Sequence, residues 1–154
     1  MRQTLAVDVT ASLDTGCPPE RLRPWIRDLD RYPAWLSIVP RAEREGTAEE
    51  SAAWAVELRA KLGPLARSKR LRMVRTVDEP DHVRFERDEL DGKEHSAWVL
   101  DARIDDVVAG SRLTMSLHYG GSLGGGVLER LLGDEIESSK PRLRELVERE
   151  APAS

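Results

Sequence analysis

Arg75 is the residue whose type and setting most strongly suggest chemistry. It lies in a predicted strand in which Leu71, Met73 and Val77 alternate on the same face. A guanidinium is always charged, so on an apolar face it must meet a carboxylate, a ligand oxygen or water. The sequence leaves two roles open, a structural ion pair and the orientation of a ligand. Arg87 is a candidate neighbour on the next strand, although a one-residue shift of register would turn both side chains outward.

The other reactive residue types form no recognisable catalytic or metal-binding set. His82, His95 and His118 are far apart in sequence and lack metal-ligand spacing, and we expect His118 to point away from the interior. The glycine-rich segment 120–126 has neither the GxGxxG spacing nor the lysine of a phosphate-binding loop. Cys17 has no evident catalytic partner, and we expect it to be structural. The sequence therefore predicts no metal and no cofactor, and it identifies no catalytic residues.

The composition is that of one globular domain. The chain has 154 residues, of which 40% are hydrophobic and 34% charged, enough for a single core. We assign residues 1–150 to that domain and 151–154 to a frayed tail. The net charge is −4, with acids and bases interleaved, which argues against nucleic acid as a partner because phosphate binding needs a concentrated basic surface. The basic run 67–72 is typical of the solvated face of a strand.

The sequence also bears on where the protein is located and how it assembles. A single cysteine excludes an intramolecular disulfide and fits a reducing cytosol. The first residues lack the apolar core of a signal peptide, and no apolar run is long enough to span a membrane. We expect a cytoplasmic protein without stable membrane insertion. Both a monomer and a homodimer are compatible with the sequence.

The elements that must position Arg75 are mostly strands. Alternating apolar residues predict a first strand over 4–12, and prolines mark helical segments over 18–29 and 31–36, the first of which Pro24 is expected to interrupt. Between two later strands, Asp91-Gly92 is the typical signal of a two-residue type I′ hairpin. Alternation predicts a meander of strands over 41–47, 52–61, 67–78, 82–90, 93–105 and 111–119.

The last third of the chain predicts a long amphipathic helix from Val127 to about Glu150. Pro141 falls inside the pattern, and we expect a kink near 137–140. A helix of this length must bury its apolar stripe on the sheet, which makes the fold α+β and leaves room for a pocket between the two. The stripe recurs at spacings of three and four and consists of Leu128, Leu131, Leu132, Ile136, Leu143, Leu146 and Val147.

The order of elements, the segment Asp28-Leu-Asp-Arg-Tyr-Pro-Ala-Trp35 and the glycine-rich lead-in to the last helix resemble the START-related helix-grip superfamily (SRPBCC). Within it, the chain is similar to bacterial polyketide cyclase/dehydrase and lipid-transport proteins. The resemblance implies a helix-grip fold, in which a curved antiparallel sheet wraps around a long C-terminal helix, with two short helices after the first strand. It also implies a deep cavity between sheet and helix that holds a hydrophobic or aromatic small molecule.

Strand alternation independently nominates residues that line such a cavity. Each could equally be a plain core residue, because tryptophan and methionine fill irregular space in either case. The candidate ligand-binding residues are Trp35, Trp54, Met73, Arg75, Phe85, Trp98, Leu100, Met115, Leu117, Tyr119, Leu128, Leu132 and Ile136.

Two functions fit this cavity, and a third uses another surface. The first is a carrier or sensor for a lipid, polyketide or isoprenoid, in which an apolar cavity supplies affinity and Arg75 or Tyr119 fixes orientation. The second is an aromatase/cyclase acting on a poly-β-ketone, in which Tyr119, Arg75 or Ser96 polarises a carbonyl or transfers a proton. The third is an interaction module on the outer face of the sheet, which carries Arg70, Arg72, Arg84 and Glu86.

Overall fold

A computed structural model describes residues 7–46, 52–62, 65–121 and 125–149, with the backbone alone at 60–62, 65–67 and 125–128. Within these ranges, α1 (Pro19–Arg27) and a 3-10 helix (Leu29–Ala34) follow the first strand, and α2 (Gly125–Arg149) comes last. The strands are β1 Val7–Thr15, β2 Arg41–Glu45, β3 Ala53–Leu62, β4 Leu65–Glu79, β5 His82–Arg87, β6 Trp98–Val107 and β7 Gly110–Tyr119.

The strands of the described ranges form one antiparallel sheet in the order β1-β7-β6-β5-β4-β3-β2. Consecutive strands from β2 to β7 are neighbours, and β1 returns to pair with the last strand. Helix α2 packs along β1, and α1 contacts β6 and β7. This is the helix-grip α+β fold that the sequence predicted, a curved sheet around a long C-terminal helix. No helix of the described ranges is both long and apolar enough to cross a membrane.

Alternation along the strands builds the core, because every second side chain faces the helices. Residues paired across antiparallel strands share a face, so Trp54, Met73 and Arg87 lie in one inner row, and Arg75 lies beside Phe85 in the next. Trp54, Met73 and Phe85 are buried. The predicted inward orientation of Arg75 and Arg87 is therefore confirmed.

A bulge in β4 overturns the predicted orientation of Val77. The pairing shifts between Arg75 and Val77, so that Val77 lies opposite Arg84, whose side chain is on the outer face, and Asp78 lies opposite the buried Val83. One extra residue in a strand exchanges the two faces beyond it. The bulge therefore brings the Asp78 carboxylate to the inner side, next to α1.

The predicted Asp91-Gly92 hairpin is wrong. Strand β5 ends at Arg87 and β6 begins only at Trp98, so residues 88–97 form a loop. Gly92 has φ +73°, but a type I′ turn needs positive φ at both central residues, and no described residue other than glycine has it. Side-chain hydrogen bonds from Arg87 hold the loop instead. Arg87 Nε donates to Glu89 Oε2 at 2.7 Å, and Arg87 Nη1 donates to the Ser96 carbonyl at 3.3 Å.

The two helical prolines do not interrupt their helices. Helix α1 continues through Pro24, against expectation, because Leu22, Trp25 and Ile26 bury its inner face against the sheet. That packing outweighs the roughly 3 kcal/mol that an internal proline costs. Helix α2 is likewise continuous at Pro141, where the kink remains a prediction.

The β6–β7 turn requires glycine at position 110. Gly110 has φ +153°, and a Cβ atom built on it would lie 2.2 Å from the Thr15 carbonyl oxygen. We expect Gly110→Ala to lower the free energy of unfolding by at least about 2 kcal/mol, because strained φ and a backbone clash combine. Chemical denaturation measures this change.

Gly133 in α2 provides the matched control. A Cβ atom there meets nothing within 4 Å, so Gly133→Ala should raise stability by about 0.5–1 kcal/mol through helix propensity. Equal effects of the two substitutions would contradict the close approach at Gly110.

Candidate functional site

An apolar patch on the inner face of the sheet is only partly buried. Val9, Leu117 and Leu100 pair side by side across β1, β7 and β6, and Met115 lies in the next row. All four retain intermediate exposure, whereas Leu113 and Ala102, on the same face, are 3% and 1% exposed. We call these four residues the inner patch. Inward-facing apolar side chains that keep exposed area are candidates to contact an apolar ligand.

Helix α2 and Trp35, which directly follows the 3-10 helix, lie close to the patch at Met115. A small, partly open pocket of about 30 Å³ lies between β1, β7 and α2, with Trp35, Met115 and Ile136 among its lining residues. Such an apolar space is too small for a ligand and holds at most a few water molecules. Leu132 is buried in α2. The side chain of Leu128, a predicted lining residue, lies outside the described residues.

Trp98 and Tyr119 form one end of the patch. The two residues pair across β6 and β7, and their ring centroids are 4.5 Å apart with planes tilted by 32°. Both are buried, at 5% and 2% exposure. A Cβ atom at Gly121 would lie 1.9 Å from Tyr119 Oη, so the tyrosine ring depends on that glycine for its position.

A cluster of aromatic rings forms the other end. Phe85, which pairs with Leu100, packs edge-on against Trp54 and Tyr32 at centroid distances of 5.5 and 6.2 Å. Trp54 Nε1 donates to Asp30 at 2.8 Å, and Tyr32 Oη donates to the Ile26 carbonyl at 2.9 Å. Burial raises the pKa of Tyr32, with the nearby Asp28 carboxylate adding to the effect, so it stays neutral. These rings satisfy their polar atoms within the protein.

Arg75 forms an internal ion pair. Its Nη1 donates to Asp28 Oδ1 at 3.0 Å and to the Arg27 carbonyl at 2.8 Å, and its Nε lies 3.6 Å from Asp78 Oδ2. The guanidinium carbon lies 5.3 Å from the centroid of Trp54. Of the two roles that the sequence left open, this geometry supplies the structural one, because the charge already has carboxylate partners.

The remaining predicted residues fall into two groups. Met73 is buried between Trp54 and Arg87, whereas Leu100, Met115 and Leu117 belong to the inner patch. Val9 is the patch residue that the list of predicted residues omitted, although its alternation with Val7 placed it on the same face.

The histidines lie outside this site. His118 bonds Asp8 at 2.7 Å on the exposed side, as predicted. His82 bonds Asp101 at 2.6 Å, and His95 bonds Asp91 in the 88–97 loop. Among the described residues, no group of three or more histidine, cysteine, aspartate or glutamate side chains is arranged to hold a metal ion.

An open groove of about 500 Å³ lies elsewhere, between β2, β3, β4 and the 88–97 loop. Its lining is strongly charged, and Arg72 pairs with Glu45 at 3.0 Å. Arg84, farther along the outer face, pairs with Asp101 at 2.9 Å. We place the candidate site at the inner patch instead, because small-molecule sites are lined mostly by apolar side chains.

The Asp78 carboxylate should make the stability of the fold fall as the pH becomes acidic. Hydrogen bonding from Arg27 lowers its pKa, with the charges of Arg75 and Arg23 adding to the effect against some desolvation. A depressed carboxyl pKa stabilises the fold above the unfolded value of 3.8, and this contribution is lost as pH falls below it. Asp78→Asn should therefore cost about 1–2 kcal/mol at pH 7 and flatten the fall in stability below about pH 4.

Urea unfolding at several pH values measures this effect. Asp106→Asn is the control, because Asp106 is exposed and its side chain has no ion pair within the described residues. If stability falls at low pH as steeply in Asp78→Asn as in the parent protein, the lowered pKa of Asp78 does not stabilise the fold.

Gly121→Ala should displace the Tyr119 ring and lose the Trp98–Tyr119 contact. We expect a loss of about 0.5–1.5 kcal/mol of stability, the usual value of an aromatic pair, together with a changed near-ultraviolet circular dichroism spectrum. Gly133→Ala tests the background, since a Cβ atom there meets nothing within 4 Å. A Gly121→Ala spectrum identical to that of the parent would contradict the packing described.

Comparisons with known proteins agree with the geometry. The family model described as "Polyketide cyclase / dehydrase and lipid transport" matches residues 6–148. A search of curated proteins found no match.

Solved structures share the fold at low identity. A protein from Thermus thermophilus has a TM-score of 0.71 at 19% identity, with 95% of this chain and 99% of that chain covered. A START superfamily protein from Mycobacterium smegmatis has a TM-score of 0.69 at 15% identity, with 94% and 97% covered. The di-domain aromatase/cyclase (ARO/CYC) StfQ from the steffimycin biosynthetic pathway has a TM-score of 0.70 at 14% identity, with 95% and 52% covered.

The chain thus spans about half of the di-domain protein and nearly all of the other two. At these identities the structures establish the fold alone, whereas the family match covers most of the sequence. The chain belongs to the polyketide cyclase/dehydrase and lipid-transport family.

Proposed function

We propose that this protein binds a hydrophobic or aromatic small molecule of lipid, polyketide or isoprenoid type and acts as its carrier or sensor. The observation that carries the proposal is the inner patch: Val9, Leu100, Met115 and Leu117 face the interior yet keep exposed area. An apolar surface in a concave site is stabilised when a ligand covers it.

The affinity available from such a patch is substantial. Covering about 200 Å² of apolar surface is worth roughly 5 kcal/mol, before the entropic cost of immobilising the ligand is subtracted. Met115 suits this role because its flexible, polarizable side chain adapts to ligands of different shape. Rigid aromatic residues bound the patch at its two ends, Trp98 at one and the buried Phe85 at the other.

Cyclisation of a poly-β-ketone bound at the same inner patch is the second candidate function. Likeness in fold to the aromatase/cyclase StfQ favours it. Against it, Arg75, a group considered for polarising a carbonyl, is engaged by Asp28 and Asp78. Ser96 lies in the 88–97 loop, where its carbonyl accepts a bond from Arg87. Of the three candidate catalytic groups, Tyr119 remains as a proton donor. Because Arg75 is already paired, we rank binding ahead of cyclisation.

A bulky side chain at the inner patch should weaken binding. Leu117→Trp adds a large side chain to the patch, and we expect it to weaken binding of the uncharged fluorophore N-phenyl-1-naphthylamine by at least about tenfold, because the added ring occupies the ligand's volume. Fluorescence titration measures this affinity. Native mass spectrometry of the gently purified protein, followed by solvent extraction, would identify a natural ligand.

Ser116→Trp is the matched control. Ser116 is the adjacent residue of β7 and lies on the outer face opposite Thr10 and Asp101, so the same substitution should leave the affinity unchanged. Equal losses in both variants, or a parent protein that binds no apolar probe, would contradict the proposal. Conversion of a bound poly-β-ketone into a cyclic product would instead place the second candidate first.

A further inference from the structure

Trp98 carries a buried hydrogen-bond donor without an acceptor. Its Nε1 atom is closed to solvent and has no hydrogen-bond partner among the residues that the structure describes. The buried indole groups of Trp35 and Trp54 behave differently, since they donate to the Trp25 carbonyl at 3.4 Å and to Asp30 at 2.8 Å. An unsatisfied buried N–H is unfavourable and uncommon in native proteins, so it requires an explanation.

The fold places this donor at the end of the inner patch. Trp98 precedes Leu100 by two residues on the same face of β6, and Tyr119 follows Leu117 by two on the same face of β7. The neighbouring Tyr119 ring presents its face to Trp98 at a centroid distance of 4.5 Å. The Tyr119 hydroxyl also forms no hydrogen bond with another residue of the described ranges, which leaves it free to donate.

The inner-face cations are already neutralised. Arg75 is paired with Asp28 and Asp78, and Arg87 is paired with Glu89 at 2.7 Å. Within the described ranges, therefore, neither guanidinium is available to neutralise the charge of an anionic ligand at the inner patch. Burying an unpaired carboxylate would be strongly unfavourable, whereas a neutral oxygen acceptor needs only a donor.

We propose that the ligand is a neutral apolar molecule bearing a carbonyl group, whose oxygen accepts a hydrogen bond from Trp98 Nε1–H, with the Tyr119 hydroxyl as a second donor. The inference rests on the proposed function and specifies its ligand class. Because Nε1 is closed to water, the carbonyl reaches it when the bound molecule parts the side chains that now cover it. The aliphatic or aromatic remainder of the ligand covers the inner patch.

A pair of matched probes tests the assignment. The ketone 6-propionyl-2-(dimethylamino)naphthalene carries one carbonyl, and 6-propyl-2-(dimethylamino)naphthalene lacks it. The parent protein should bind the ketone more tightly than the hydrocarbon analogue. Trp98→Phe, which keeps an aromatic ring but removes the donor, should reduce the ratio of ketone to hydrocarbon affinity by about three- to tenfold, because only the ketone loses a hydrogen bond.

The outcomes separate the two levels of the proposal. Binding of both probes without preference for the ketone, or an equal loss of both in Trp98→Phe, would overturn the carbonyl assignment and leave the proposed function intact. Failure of the parent protein to bind either probe would overturn both. Trp98→Phe should fold, since it removes an unsatisfied donor.

Proton NMR provides an independent reading on the parent protein. The ketone should move the Trp98 indole N–H resonance downfield, and the hydrocarbon analogue should not. An indole resonance unmoved by saturating ketone would overturn the hydrogen bond even if Trp98→Phe cannot be purified.

Discussion

The buried Arg75 guanidinium is the interaction on which the arrangement of the short helices depends. It reaches from β4 to the Arg27 carbonyl and the Asp28 carboxylate, which lie where α1 ends and the 3-10 helix begins. Asp78 completes the network because the β4 bulge turns it toward α1, where Arg23 and Arg27 also bind it. Because Asp28 and Asp78 are 30% and 31% exposed, removing one of them costs less than the roughly 3–5 kcal/mol of a fully buried pair. The ion pairs thereby hold Trp54, Phe85 and Tyr32 together at one end of the site.

The contrast between the two ends of the inner face explains how a stable fold can keep a binding surface. At the Arg75 end, the rings and carboxylates find partners within the protein, with Arg23 Nε the exception, and Trp54 and Phe85 are fully buried. At the other end, the patch keeps exposed apolar area, and Trp98 keeps an unpaired N–H. Incomplete burial and an unmet donor both lower stability, and both are relieved when a suitable ligand binds.

Much of the fold could be predicted because it follows from local periodicity. Alternation placed Trp54, Phe85 and Leu117 on the inner face, and the spacing of Leu132 and Leu143 indicated the helix that covers it. The errors arose where one residue or one side chain changes the geometry. The bulge before Val77 carries no distinct signal in sequence, and the loop at 88–97 depends on Arg87 reaching Glu89 and Ser96. Pro24 was misjudged because tertiary packing overrides a local preference.

The sequence by itself determined the fold class, the inward face of most strands and the family, since these depend on patterns repeated over many residues. It also nominated Arg75 and Trp98 without separating their roles. Only the tertiary structure decided that Arg75 is neutralised by Asp28 and Asp78 while the Trp98 donor has no acceptor. The physical reason is that hydrogen-bond and ion-pair partners are distant in the chain. Which partner a buried polar group finds depends on the packing of whole elements.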